Sequence, residues 1–209
     1  MGFFDFLFPP RVDELALRDV SSDDFLAKVA PRLVPATRPG AVALLPFNDP
    51  SVRAAIHEAK YHGSDTAFSY LAAVLADYLR DADDLSATRF NLVALVPVPL
   101  GRKRRKERGF NQVEEVARRA GKELNIPVDA ALLARTRETV SQVSLPRHAR
   151  EENMRGAFRV PQDAANRIDP AHAYIVLDDV LTTGATLQAA IDALSAAGAR
   201  HIIPLALAH

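Results

Sequence analysis

Apolar runs of strand length alternate along this chain with stretches whose apolar residues recur at helical spacing. Ser21-Ser22-Asp23-Asp24 has the composition of a helix start. Phe25, Leu26, Val29, Leu33 and Val34 then give a helical apolar stripe. Pro35 to Gly40 reads as a linker and Ala41 to Phe47 as a strand. Asp49-Pro50 is an N-cap and first-turn pair that opens a helix through Lys60, stopped near Gly63. A second helix is expected from Asp65 to Arg80, then a polar connection from Asp81 to Arg89. Asn91 to Val96 reads as a buried strand, and Asn111 to Leu124 as a helix. Leu132 to Phe158 is long, polar and aperiodic, the pattern of a mobile loop or lid, with Ala157 to Val160 as a short strand closing it. Pro161 to Pro170 is a linker. Tyr174 to Leu177 is a buried strand, Leu187 to Ala197 a helix that Gly198 stops, and His201 to Ala208 a last strand. Pro204 assigns that last strand to a sheet edge.

This alternation predicts an α/β domain over residues 41–209, its mostly parallel sheet flanked by helices. Residues 1–40 form a helical N-terminal extension. The aromatic start, Gly2 to Phe8 before Pro9-Pro10, reads as a short helix or arm docked on the core, or as a contact for a partner or a membrane surface. It lacks a basic segment and carries Asp5, so it is a poor signal peptide. No apolar run has the length of a membrane span.

Composition narrows the chemistry. Among 209 residues there is no Cys, which removes disulfides and thiolate metal sites and fits a reducing cytoplasm. The formal net charge is zero, so no global field draws the molecule to nucleic acid. Charge is dense locally: six of the seven residues from Arg102 to Arg108 are basic. Arg104 and Arg108 are four apart, so a helical turn puts both on one side, where two guanidinium forks suit a pyrophosphate. The same segment also reads as a solvated face or a nucleic-acid patch, although only Phe110 offers a stacking platform. His57, Lys60, Tyr61 and His62 gather at a helix end, where basic groups are favoured. On an α-helix the two His, five apart, do not share a face. With no Cys either, no zinc site is expected.

The most informative stretch is Tyr174-Ile-Val-Leu-Asp178-Asp179-Val-Leu-Thr182-Thr183-Gly184-Ala185-Thr186. A strand leads to two acids, then to a loop of small residues at a helix start. Such a loop offers outward N–H groups to an anion, Gly184 permits close approach, and the hydroxyls of Thr182, Thr183 and Thr186 add donors. The carboxylates suit sugar hydroxyls or a hydrated Mg²⁺. There is no G-x-x-x-x-G-K-[ST] and no G-x-G, which argues against P-loop and Rossmann nucleotide sites.

This stretch resembles the phosphoribosyl pyrophosphate (PRPP) loop of type I phosphoribosyltransferases. With Val96-Pro97-Val98-Pro99-Leu100, Arg104, Arg108-Gly109-Phe110-Asn111-Gln112, Thr139, Gln142, Leu145, Arg150, Asn153 and Phe158, the chain resembles the ComF (competence-protein-F-like) family over most of Ala41 to His209. The resemblance implies a phosphoribosyltransferase-like fold with a mobile hood. It implies that Asp178 and Asp179 bind the ribose hydroxyls, with Mg²⁺ held directly or through water, and that Thr182 to Thr186 cradle the 5-phosphate. Arg104 and Arg108 would take the pyrophosphate, and Gln142, Arg150 and Asn153 would close the lid. The substrates are then PRPP and a small-molecule acceptor, and a homodimer is compatible with the sequence. Family members usually begin with a four-Cys zinc ribbon; here Val12 and Leu15 stand where a Cys pair is expected. Two functions remain in play: phosphoribosyl transfer with release of pyrophosphate, and a non-catalytic PRPP sensor or DNA-uptake accessory.

Overall fold

The computed structural model describes residues 12–82, 92–136 and 154–209. Two short helices, α1 (Val12–Arg18) and α2 (Ser22–Leu26), precede strands β1 (Arg32–Val34) and β2 (Ala41–Leu45). Helix α3 (Pro50–His57) runs into one π-helical turn, Glu58–His62, and α4 (Asp65–Asp81) follows. Then come β3 (Val93–Pro97), the basic helix α5 (Arg102–Arg108), α6 (Gln112–Leu124) and β4 (Ala134–Arg135). The last part holds β5 (Phe158–Arg159), α7 (Gln162–Ala165), β6 (Ala173–Val180), α8 (Ala185–Ala196) and β7 (His201–Ala208).

The central sheet has the order β1-β2-β7-β6-β3. All its neighbours are parallel except β1, which runs antiparallel to β2. It is thus an α/β fold with a mostly parallel sheet flanked by helices. Alternation along β6 splits the core between two faces. Ile175 and Leu177 pack with α3, α4 and α6, whereas Tyr174 and Val176 pack with α8 and the small β4–β5 pair.

Two expectations are corrected. The last strand is not at the edge: β7 lies between β2 and β6. Pro204 is tolerated because the ladder to β2 begins one residue later, at Val42↔Leu205, so its missing N–H falls where that ladder starts. The helical stripe through Val34 stops at Leu26, and Arg32–Val34 pairs instead with Ala41–Ala43. Pro31 lies between the two, where a helix would need its N–H and room for its ring. Within residues 12–40, Leu17 and Phe25 are buried in the main core and β1 extends the sheet.

Helix starts follow their sequence signals. Ser21 Oγ accepts from the Asp24 N–H, and Asn111 Oδ1 from the Val113 N–H. Asp49 Oδ1 accepts from the N–H groups of Ser51 and Val52, while its Oδ2 meets Lys28 Nζ at 2.9 Å. Burial works against this charge. The Ser51 hydroxyl, Lys28 and the two amides outweigh it and hold the carboxyl down at about 2, from an ordinary 3.8. Asp49→Ala should cost about 1–2 kcal/mol of unfolding free energy in urea titrations near neutral pH. A lowered carboxyl adds stability above pH 3.8 and loses it as pH falls through about 2. The gap between parent and variant should therefore close across that window, and an undiminished gap at pH 2 would refute the cap.

Candidate functional site

Strands β3 and β6 part company where the acids begin. Their pairing ends at Pro97↔Leu177, and the Val98 N–H makes a last bond to the Leu177 carbonyl oxygen. On its other side β6 stays paired to β7 through Asp178↔Ala206 and Val180↔Ala208. Asp178 and Asp179 thus lie just before Val180, the last residue of β6, beside a crevice at the carboxyl ends of parallel strands, the usual place for a ligand in such sheets.

Being consecutive on a strand, the two acids point to opposite faces. Asp179 points toward α3 and α6. Its Oδ2 accepts from Gln112 Nε2 at 2.6 Å and from Lys60 Nζ at 2.9 Å, and its side chain is only 12% exposed. Burial opposes its charge, but Lys60 and these hydrogen bonds prevail and keep its carboxyl below the ordinary value. Asp178 points toward α8. Its Oδ1 accepts from the Asp179 N–H at 2.9 Å. Burial, reinforced by the adjacent Asp179 charge, pushes its carboxyl up to about 7. One acid is held ionised inside the protein, and its neighbour is poised to change charge near neutrality.

The Asp179 contacts extend outward. Arg108 Nη1 donates to Gln112 Oε1 at 3.1 Å, and the Arg108 guanidinium lies 4.8 Å above the Tyr61 ring. Asn111 Nδ2 donates to the Val98 carbonyl oxygen, fixing the start of α6 against the end of β3. Phe110 meets Phe68 edge-on and also packs against Gly63. Gly63 has φ +61°, and a Cβ there would lie 3.1 Å from the Phe110 ring. Arg108-Gly-Phe-Asn-Gln112 is therefore one device: it caps a helix, seals against the π-turn, and delivers Gln112 to Asp179.

On the other face, Leu181 to Gly184 lead into α8. The Leu181 N–H donates to the Ala208 carbonyl oxygen at 2.8 Å, and Thr183 Oγ1 accepts from the Ala185 N–H at 3.4 Å. Gly184 is the N-cap with φ +80°, and no side chain caps the helix there. A Cβ at Gly184 would strike the Ala36 backbone, so only glycine lets the loop sit this close. Asp178, Leu181, Thr182, Gly184 and Thr186 line a small hollow. A cleft of about 740 Å³ opens on the loop's other flank, lined by Arg38, Arg155, Thr183, Gly184, Gln188 and Asp192 among others.

Of the expected site residues, Asp178, Asp179 and Thr182 to Thr186 lie together at this strand end. Helix α5 follows directly from the end of β3, and within it only Arg104 and Arg108 are partly buried. The expected lid residues Gln142, Arg150 and Asn153, with Thr139, lie outside the described residues. Lys60 and Gln112 are the residues that sequence reasoning missed. Lys60 does more than complement a helix end: its ammonium is on Asp179. Gln112 was visible only as one letter of a motif.

His57 and His62, expected on different faces, lie on the same one. The π-turn changes the spacing, so residues five apart do share a side, and the two rings lie 5.8 Å apart. With Glu58 they offer three potential ligand atoms within 4.8 Å of one another.

The site thus belongs to an α/β protein with a carboxylate pair and a glycine-headed helix at the mouth of a parallel sheet. The chain is related to curated ComF-like proteins. It is 33% identical to the DNA utilization protein YhgH of Escherichia coli K12 over 93 residues, which are 44% of this chain and 39% of that protein. It is 32% identical to competence protein F of Haemophilus influenzae over 95 residues, 46% and 41% of the two chains. The match to YhgH of Salmonella typhi is 32% over 142 residues, 66% and 58%. The chain therefore spans about two fifths to three fifths of the length of these relatives. No family model matches it. Among the described residues, no helix is long and apolar enough to cross a membrane.

Proposed function

We propose that the protein binds PRPP with Mg²⁺ at the mouth of β6 and transfers its phosphoribosyl group to a small acceptor, releasing pyrophosphate. The observation that carries this reading is the asymmetric acid pair. Asp179 is locked by Lys60 and Gln112, while Asp178 faces the hollow of the Thr182–Thr186 loop. Among the described residues Asp178 Oδ2 has no hydrogen-bond donor, so it is open to a ribose hydroxyl or to a hydrated cation. One or two carboxylates with retained water suit Mg²⁺, which would assist pyrophosphate departure by neutralising its charge. Asp179 orients the strand end and, with Lys60, sets the field beneath it. The loop amides and the threonine hydroxyls hold the 5-phosphate, and the neighbouring cleft with Arg38 and Arg155 adds positive potential. In the transfer, the acceptor forms a bond to the anomeric carbon as that carbon's bond to pyrophosphate breaks. The bonding pair leaves with the pyrophosphate. Arg104 and Arg108 meet the growing negative charge.

A second reading is favoured by the names of the relatives, which refer to DNA utilization and competence. Here the exposed basic helix α5 serves DNA, and PRPP binding is a sensor or is missing. The Arg104→Ala, Arg108→Ala double variant separates the two. The first reading expects PRPP affinity to fall about a hundredfold, given about 1.5–3 kcal/mol per charged hydrogen bond in part offset by solvation, with little change for DNA. The second expects unchanged PRPP behaviour. It also expects DNA affinity to depend on all six basic residues and to fall steeply with salt.

A further inference from the structure

We propose that His57, Glu58 and His62 bind one divalent transition-metal ion of the Zn²⁺ class. The site is distinct from the acid pair and independent of what the acid pair binds. On a regular α-helix, residues five apart are turned about 140° from each other. The π-turn Glu58–His62 removes that offset and brings the two imidazoles and the Glu58 carboxylate to one side. π-Turns are rare and concentrate at functional sites.

Three features point to a cation. The donor set is two imidazoles and one carboxylate, a set that suits zinc and leaves a fourth position open to water. Glu58 is 1% exposed in its side chain and its carboxylate oxygen lies 4.0 Å from His62 Nε2, so an inward carboxylate and the imidazoles already share one side of the turn. Finally, His57 already has an outer partner. Its Nδ1 lies 2.8 Å from Asp13 Oδ2, the carboxylate–imidazole pairing that fixes a metal-binding tautomer and leaves Nε2 for the ion. Ligand atoms around a four-coordinate zinc with bonds of about 2 Å lie roughly 3.3 Å apart. The observed spread of up to 4.8 Å therefore closes by small side-chain rotations, which exposed His57 and His62 are free to make.

The test is calorimetric titration of Zn²⁺ into the untagged, chelator-stripped full chain, with melting curves alongside. The expected result is one ion per chain and a melting temperature that rises with Zn²⁺. His57→Ala and His62→Ala should each weaken binding by at least about a hundredfold. Asp13→Asn should weaken it about tenfold, the usual effect of losing an outer-shell partner. His172→Ala and Asp178→Asn should bind like the parent. Glu58→Gln should lose binding as the His variants do; circular dichroism monitors its folding, and the two surface His variants decide the matter if it unfolds. Parent-like binding in both His variants overturns the site. So does binding only at millimolar Zn²⁺, or loss of binding in Asp178→Asn alone.

Discussion

Asp178→Asn is expected to weaken Mg²⁺–PRPP binding about tenfold to a hundredfold while leaving the protein folded. Asn keeps the size but loses the charge and turns one acceptor into a donor. A ribose hydroxyl or a water on Mg²⁺ then meets the wrong partner, a loss of about 1–3 kcal/mol. Stability should not suffer. The carboxyl stands near 7 in the folded protein and near 3.8 when unfolded. A raised carboxyl contributes stability below pH 3.8 and loses it as pH climbs through about 7. The variant has no such loss, so above pH 7 it should melt no lower than the parent. The same carboxyl gives the parent a pH signature: affinity should climb as pH rises toward about 7 and level off above it, while the variant's affinity stays flat. Calorimetry across that range, with melting curves, provides the check. Equal affinity of parent and variant at pH 8 would remove Asp178 from the site.

Asp179→Ala should behave oppositely, as a stability defect first. Removing this carboxylate leaves the Lys60 ammonium, itself only 24% exposed, without its counter-charge, and leaves Gln112 Nε2 without its acceptor. Breaking a largely buried pair from one side costs about 3–5 kcal/mol in general. Because Lys60 retains some water, about 2–4 kcal/mol is expected here. Lys60→Met in the same background should return part of that loss, since an apolar chain of similar length needs no partner. A double-mutant cycle in urea should therefore give a coupling of about 1–3 kcal/mol. Independent, additive effects would mean that the Lys60–Asp179 contact carries no weight in solution.

Much of this architecture was legible locally. Asp49 caps the helix it was expected to cap, and helices begin at the expected Ser21–Asp24 and Asn111 positions, because an N-cap is decided by one side chain and the amides two or three residues on. Tyr174 to Leu177 form a buried strand because both faces of a covered parallel sheet demand apolar residues. The errors arose where distant contacts decide. Pro204 looked like an edge residue, yet the register against β2 leaves its nitrogen where no bond is needed. Phe25 to Val34 had helical spacing, but Pro31 and the open edge of β2 turned its end into a strand. The π-turn had no sequence signature, so the positions of Lys60, His57 and His62 could not be read from a period of 3.6. The acid pair was found as a pair, whereas its division of labour required knowing that Lys60 and Gln112 reach only one face of β6.

Calorimetric titration of PRPP into the full parent chain at pH 8, with and without Mg²⁺, decides whether the mouth of β6 is a PRPP site. The expected result is saturable binding at one site per chain that tightens with Mg²⁺ and is displaced by pyrophosphate. No binding of PRPP under either condition, by a chain that remains folded, would contradict it.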